Sequence, residues 1–149
     1  MQRQLNSDLL HLIRILECLY KLIRYSAEYK TAEEFFQANE QMPFNASLTL
    51  IAQVGEESNK LSAELKGKYT NVNWEKIYGL RNRIVHDYAG IDKFITFTIV
   101  KNETTQLIEQ IIPIIETEIA KGTFDKKEFE YTAQSGYYKY IDFSRFKFQ

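Results

Sequence analysis

Apolar residues recur at every third or fourth position along much of this chain, the spacing that places them on one face of an α-helix. The pattern predicts one helix over residues 6–28, with Asn6 and Ser7 as candidate N-caps, and another over residues 47–65. Between them, residues 31–34 have the spacing of a capping box. They predict a short helix that ends near residue 39.

Three further features organise the middle of the chain. The helical pattern breaks at residues 41–43 and again at residues 71–73. The second break, Asn-Val-Asn, predicts a loop and the cap of a new helix. A third long helix is predicted over residues 74–86. Gly90 and Asp92 then mark a turn and the cap of the next element.

Residues 92–120 are open to two interpretations. Residues 94–100 are rich in β-branched side chains, which favours a strand, whereas the apolar positions of residues 107–115 have helical spacing. We expect one long helix that bends at Pro113 and ends at Gly122, with the strand as the alternative.

The last 27 residues form an aromatic-rich extension that holds nine of the 21 aromatic residues. Two aromatic stretches, 129–132 and 137–140, flank the Ala-Gln-Ser-Gly of residues 133–136 and predict a β-hairpin. The alternative is that the extension packs against the helices. The sequence thus predicts an all-α fold, an up-and-down bundle of four to five helices in a domain over residues 1–122, followed by the extension over residues 123–149.

Composition narrows the class of protein. A chain of 149 residues is long enough for one domain, and its net charge of −1 argues against a broadly basic nucleic-acid-binding protein, although it allows a local basic site. Cys18 is the single cysteine, so we expect no intrachain disulfide, an inert core thiol and a reducing, cytoplasmic location. One cysteine and two histidines also predict no zinc site, and no apolar run is long enough for a membrane span.

One stretch, residues 79–88, concentrates side chains that can act on RNA. Asn82 and His86 lie four residues apart, on one face of an ideal helix, while Arg81 and Tyr88 lie on another. These groups converge only if the helix ends near His86 or if a second copy of the chain faces the first. The alternative is an ordinary polar face of a bundle helix. His11, flanked by leucines, is expected to be structural or exposed.

The chemistry that this set supports is phosphodiester cleavage without a metal or cofactor. A histidine can take a proton from a ribose 2′-hydroxyl, and an arginine can neutralise charge on the phosphate. Asn82 is suited to orient the imidazole, and Tyr88 to donate to a phosphate oxygen or stack on a base. Because cleavage needs both an acid and a base and each chain offers one suitable histidine, we expect a symmetric dimer.

These residues resemble a known family. Arg81, His86 and Tyr88 have the spacing of the Arg-x4-His-x-Tyr motif of HepT-type HEPN ribonuclease toxins. Residues 54–62 are similar to the family's Ile-Gly-Glu-Ala-x-Lys-x-Leu helix, and residues 74–92 are similar to its Trp-x-x-Ile-x-Gly-x-Arg-Asn-x-x-x-His-x-Tyr-x-Gly-x-Asp block. The resemblance extends over roughly residues 5–120.

The resemblance implies a HEPN-like bundle that dimerises and cleaves RNA without metal, as the toxin of a type VII-like toxin–antitoxin system. Arg81 and His86 would be catalytic and Asn82 would support them. The partner would be a nucleotidyltransferase antitoxin of the MntA type, which neutralises the toxin by transferring AMP to Tyr88. Candidates to line the same cleft are Glu56, Arg83 and Asp87, and the alternative for Glu56 is an ordinary surface carboxylate on its helix.

Two other functions stay open at this point. Some relatives with similar motifs are described as non-catalytic substrate-binding subunits of a nucleotidyltransferase, and a helical interaction module without enzymatic activity is the third reading. The extension has no counterpart in the resemblance. Its aromatic side chains could stack on RNA bases, dock on the antitoxin or a second dimer, or simply cover the bundle.

Overall fold

The computed structural model describes the backbone of residues 2–148 and the side chains of residues 7–148, and this part of the chain contains helices and turns but no β-strand. Five helices have nine residues or more: α1 (Gln2–Ser26), α3 (Met42–Lys60), α5 (Trp74–His86), α7 (Thr104–Ala120) and α8 (Lys126–Gln134). Three helices of six residues lie between them: α2 (Ala32–Gln37), α4 (Ala63–Lys68) and α6 (Lys93–Thr98). The prediction of an all-α fold is confirmed.

The long helices α1 and α3 run antiparallel. Near the start of α1, the Asp8 carboxylate accepts hydrogen bonds from the backbone N–H and the hydroxyl of Ser62, just beyond the end of α3. Further along α1, the Cys18 thiol donates to the side chain of Gln53 in the middle of α3. As the residue number increases along α1, the number of the contacting residue on α3 therefore decreases.

The helices α5 and α7 continue this alternation. Tyr88, just after α5, contacts Asn45 near the start of α3, so α5 is antiparallel to α3. Lys101, before α7, donates to the backbone oxygen of Ser26 at the end of α1, whereas Leu107 faces Leu19 across a shared cavity. The four long helices α1, α3, α5 and α7 thus alternate in direction, as expected for an up-and-down bundle.

A single hydrophobic core joins the bundle and the extension. Its fully buried aliphatic side chains each stabilise the fold by about 1.5–3 kcal/mol relative to an exposed position. The largest of them come from α1, α3 and α7, with Leu65 from α4, and four residues of the extension join the same core. These four are Phe124, Phe129, Ile141 and Phe146.

Two helices begin earlier than the sequence predicted. Helix α1 begins at Gln2, so Asn6 and Ser7 lie within it and are not its caps; the residues before them are good helix formers. Helix α3 begins at Met42, since Pro43 falls in the first turn, where a missing N–H leaves no hydrogen bond unmade.

The interruption before α3 lies at Asn39, Glu40 and Gln41, which have positive φ angles of 49°, 57° and 68°. Helix α3 also ends earlier than predicted, at Lys60. The reason is Ser62, whose hydroxyl oxygen accepts the N–H of Leu65 and starts α4 as a separate helix.

The strand alternative for residues 94–100 is wrong. Asp92 caps α6 by accepting the N–H groups of Phe94 and Ile95, as the sequence predicted. The helix then continues through a π-helical turn, Ile99–Glu103, into α7, which runs through Pro113. It ends shortly before Gly122, whose φ of +79° favours glycine at the end of a helix.

The predicted β-hairpin is also wrong, because residues 129–132 lie inside α8. Asp125 caps this helix, and its sequence contains mostly good helix formers. The helix buries Phe129 and leaves Tyr131 78% exposed. A strand would also place these two alternating residues on opposite faces, so the sequence pattern fits both structures. After α8 the chain packs on the bundle: the backbone N–H of Tyr140 donates to the buried Glu17 of α1.

Among residues 2–148, no helix has both the length and the apolar character that a membrane crossing requires.

Candidate functional site

Helix α5 carries the motif residues and has the boundaries that the sequence predicted. Its N-cap is Asn73, whose side chain accepts the N–H of Lys76. Trp74 fixes the entry to the helix by donating its indole N–H to the backbone oxygen of Tyr69. The helix ends at His86, and Asp87 caps it by donating its backbone N–H to the oxygen of Arg83 at 2.9 Å.

Gly55 on α3 lets α5 approach closely at the position of Arg81. A β-carbon at Gly55 would lie 2.4 Å from the Arg81 Cβ and 3.1 Å from the backbone oxygen of Ile77. Carbon atoms in contact normally lie about 3.5–4.0 Å apart. The absence of a side chain at this one position therefore sets the depth at which the Arg81 backbone sits against α3.

The Arg81 side chain is held by its neighbours. Its Nε lies 2.5 Å from the Glu56 carboxylate, a charge contact that is not aligned as a hydrogen bond, and its Nη1 donates to the Asn82 side chain at 2.9 Å. The guanidinium also lies over the ring of Tyr78, 5.8 Å from its centroid. The Arg81 side chain is 26% exposed, so it stays partly accessible to a phosphate.

His86 presents a contrasting environment at the exposed end of α5. Within the part of the chain that the structure describes, its ring makes no hydrogen bond or ion pair. Arg83, one turn earlier, is also exposed and without a charged partner among the described residues, and Asp87 is exposed beside it. This end of α5 therefore offers an imidazole and a guanidinium that nothing in the described chain engages.

Tyr88 lies in a short 3-10 turn, Tyr88–Gly90, and is 48% exposed. Its hydroxyl donates to the side-chain oxygen of Asn45 on α3 at 3.0 Å. Sequence reasoning did not find Asn45, because this contact depends on how α3 and α5 pair and no spacing along the chain indicates it. The hydroxyl thus has a defined partner while half of the side chain remains accessible.

The structure brings only part of the predicted site together. Arg81, Asn82 and Glu56 form one cluster, and Tyr88 contacts Asn45. His86 joins neither group in the described chain, although the helix ends there as required. A single chain therefore does not close the catalytic candidates into one contact set.

The end of α5 and the start of α6 carry three exposed apolar side chains, the apolar patch. It consists of Val85, Phe94 and Ile95, which are 53%, 60% and 51% exposed. The end of α5 and the start of α6 are neighbours, since Ile84 and Ile95 line the same small cavity of about 30 Å³. Large exposed apolar side chains next to a polar site are typical of a surface that a partner covers.

Cys18 and His11, for which the sequence predicted no catalytic role, lie elsewhere in the bundle. Cys18 is buried as predicted, and burial raises the pKa of its thiol to about 11, so the thiol is protonated at neutral pH. His11 is half-buried and pairs with Glu57 at 2.5 Å between α1 and α3. No group of three or more potential metal-ligating side chains occurs among the described residues.

Comparison with known proteins identifies the class to which this helical bundle and its α5 surface belong. A family model described as Ribonuclease HepT-like matches residues 15–114, well over half of the chain. The chain therefore belongs to the HepT-like ribonuclease family. The match ends before the aromatic-rich extension.

Curated relatives agree with this family. "Gamma-glutamylcyclotransferase and putative RNase MJ0434" of Methanocaldococcus jannaschii is 28% identical over 117 residues, which are 78% of this chain and 51% of that protein. "Putative RNase MJ1380" of the same organism is 30% identical over 73 residues, 49% of this chain and 67% of that protein. The chain thus spans about half of the first relative and about two thirds of the second. No solved structure matches the chain.

Proposed function

We propose that this protein is a metal-independent endoribonuclease and the toxin of a type VII-like toxin–antitoxin system. The observation that carries the proposal is the end of α5, where an unengaged His86 follows a fixed Arg81 on the same helix. Membership of the HepT-like ribonuclease family supports RNA as the substrate. Arg81 and His86 are the proposed catalytic residues, and Asn82 holds the guanidinium.

The chemistry requires a base and an acid. One imidazole accepts the proton of a ribose 2′-hydroxyl, whose oxygen attacks the adjacent phosphorus. The bond from phosphorus to the 5′-oxygen breaks, a second imidazole protonates that leaving oxygen, and a 2′,3′-cyclic phosphate remains. Arg81 neutralises the charge that develops on the phosphate during this step.

A homodimer supplies the second imidazole. Within the described residues of one chain, His86 is the exposed histidine without a hydrogen-bond or charged partner, because His11 is paired with Glu57. The apolar patch beside His86 provides surface that a second copy can bury, which would bring two His86 side chains to one cleft. Arg83 and Asp87, exposed at the same helix end, are placed to line that cleft.

Tyr88 is the proposed site of AMP transfer by a cognate nucleotidyltransferase antitoxin. Its half-exposed hydroxyl can be reached by such an enzyme, and it lies two residues from His86. An adenylyl group there would add bulk and negative charge next to the base and acid of the cleavage reaction.

The test is cleavage of total RNA in EDTA by the wild-type protein and His86→Ala, with Gln134→Ala as a matched control. Gln134 is also exposed and is also the last residue of its helix. We expect the wild type and Gln134→Ala to cleave RNA and His86→Ala to be inactive with an unchanged unfolding midpoint. Sedimentation should show a dimer, and mass spectrometry after incubation with ATP and the antitoxin should place AMP on Tyr88.

Three outcomes would contradict parts of the proposal. Absence of cleavage by the wild type, with Tyr88 shown by mass to be unmodified, would favour a non-catalytic substrate-binding subunit of a nucleotidyltransferase. A fully active monomer would exclude the shared cleft. Adenylylation of another tyrosine would remove Tyr88 from the modification site.

A further inference from the structure

The contact between Tyr88 and Asn45 is the starting point for an inference about how the site is positioned. Asn45 is half-buried in the first part of α3, and its side-chain oxygen accepts the Tyr88 hydroxyl proton at 3.0 Å. Tyr88 lies in a three-residue turn beyond α5, so this bond joins a short turn to a helix of 19 residues. The acceptor is therefore held by a long helix, whereas the donor sits on a segment with little structure of its own.

The bond acts close to the catalytic candidate. Only Asp87 separates His86 from Tyr88, and the turn between them is tight, since Asp87 donates to the oxygen of Arg83 and accepts the N–H of Gly90. A tether at Tyr88 consequently limits how far the end of α5 can rotate or fray. We infer that Asn45 is a positioning residue, which holds Tyr88 and through it sets the position of His86.

The inference rests on the proposed function and adds to it a reason why AMP transfer silences the enzyme. In that transfer the Tyr88 oxygen forms a bond to the α-phosphorus of ATP, the bond from that phosphorus to the bridging oxygen breaks, and pyrophosphate leaves with the electron pair. The phenolic proton passes to a base of the transferase or to water. The modified oxygen has no proton to donate, so the bond to the Asn45 side-chain oxygen is lost.

Two substitutions remove this bond without adding an adenylyl group. Tyr88→Phe removes the donor, and Asn45→Leu removes the acceptor while keeping the branched shape of the side chain. We expect each to lower the rate of RNA cleavage about three- to tenfold, the range expected when one neutral hydrogen bond is removed. The double variant should be no slower than the slower single variant, because both changes break the same contact.

Rescue and control variants separate positioning from a general structural effect. Asn45→Asp keeps an acceptor oxygen and should restore most of the cleavage rate that Asn45→Leu loses. Thr49→Val is the matched control, because the Thr49 hydroxyl donates to the backbone oxygen of Asn45 from one turn further along α3 and does not contact Tyr88. It should leave cleavage unchanged.

A spectroscopic measurement makes the test independent of cleavage. The ring C–H resonances of His86 in the NMR spectrum should move in Tyr88→Phe and Asn45→Leu and stay in place in Thr49→Val. Wild-type protein that does not cleave RNA would count against the proposed function, while the His86 resonances would still report on Asn45. Unmoved resonances in the two variants, or full activity of Asn45→Leu beside an active wild type, would overturn the positioning role.

Discussion

Replacing Gly55 by alanine tests whether the close contact of α3 and α5 determines the geometry at Arg81. The added β-carbon would lie 2.4 Å from the Arg81 Cβ and 3.2 Å from its Cγ. The first of these atoms is fixed to the backbone and cannot turn away as the end of a flexible side chain can. Helix α5 must therefore move away from α3, by about 1 Å or more if the two carbons are to reach normal contact.

The expected effect on stability is a difference of two opposing contributions. Overpacking of this kind costs about 1–3 kcal/mol. Alanine in a helix interior is more favourable than glycine by about 0.8–1.0 kcal/mol. The free energy of unfolding should consequently fall by about 0–2 kcal/mol in Gly55→Ala. The cleavage rate should fall by about 100-fold, because a shift of 1 Å at a catalytic group can have an effect of that size.

Gly79→Ala provides the matched control. Gly79 lies inside α5, two residues before Arg81, and a β-carbon there would meet no atom within 4 Å. The same substitution should therefore raise the free energy of unfolding by about 0.5–1 kcal/mol and leave cleavage unchanged. Urea unfolding and RNA cleavage in EDTA measure both quantities. If Gly55→Ala is stabilised as much as Gly79→Ala, the close approach of the two helices is refuted.

Two further predictions concern regions outside the site. Burial raises the pKa of Glu118, but hydrogen bonds from Tyr69, Thr123 and Lys68 outweigh it and hold the pKa below its usual value. Glu118→Gln should therefore lower the free energy of unfolding by about 1–3 kcal/mol at pH 7. This difference in the free energy of unfolding should be complete above the ordinary glutamate pKa of about 4.3, and it should shrink as the pH falls through the pKa of Glu118 in the folded protein. Urea midpoints at pH 7 and below pH 4 measure the difference. A difference that does not change with pH would contradict a lowered pKa of Glu118. Phe129→Ala should cost about 3 kcal/mol in urea unfolding, since three phenylalanine rings of the extension pack against this buried side chain, whereas Tyr131→Ala should change it by less than about 0.5 kcal/mol. Equal effects of these two substitutions would mean that α8 is not packed as described.

Sequence patterns predicted the elements whose signals are local. The boundaries of α5 followed from Asn73 as a cap and from the end of the apolar spacing, and Asp92 was recognised as the cap of α6. The β-hairpin failed because alternating aromatic residues fit a strand as well as a helix that buries only Phe129. Which of the two forms depends on the surface against which the segment packs, and that surface belongs to distant parts of the chain.

The same distinction applies to the candidate site. Arg81 and His86 share one helix, so their spacing made them visible in the sequence. The roles of Gly55 and Asn45 depend on the register of α3 against α5, and Asn45 lies 43 residues from Tyr88. Short-range patterns carry no information about that register. Glu56 was a candidate to line the cleft, with a surface carboxylate as the alternative, and the structure places it against Arg81.

Helix α5 is the least buried of the four bundle helices, and this bears on the proposed dimer. It buries one residue, Ile84, whereas α3 and α7 bury eight each. A cavity of about 210 Å³, lined partly by Ile77 and Leu80, separates its inner face from α1 and α7. Because burial of apolar surface is the main source of helix stability, α5 gains less from its own chain than α3 and α7 do, although it packs closely against α3 at Gly55. Covering the apolar patch at its end in a dimer would both stabilise α5 and fix the position of His86, so stability and activity should depend on protein concentration together.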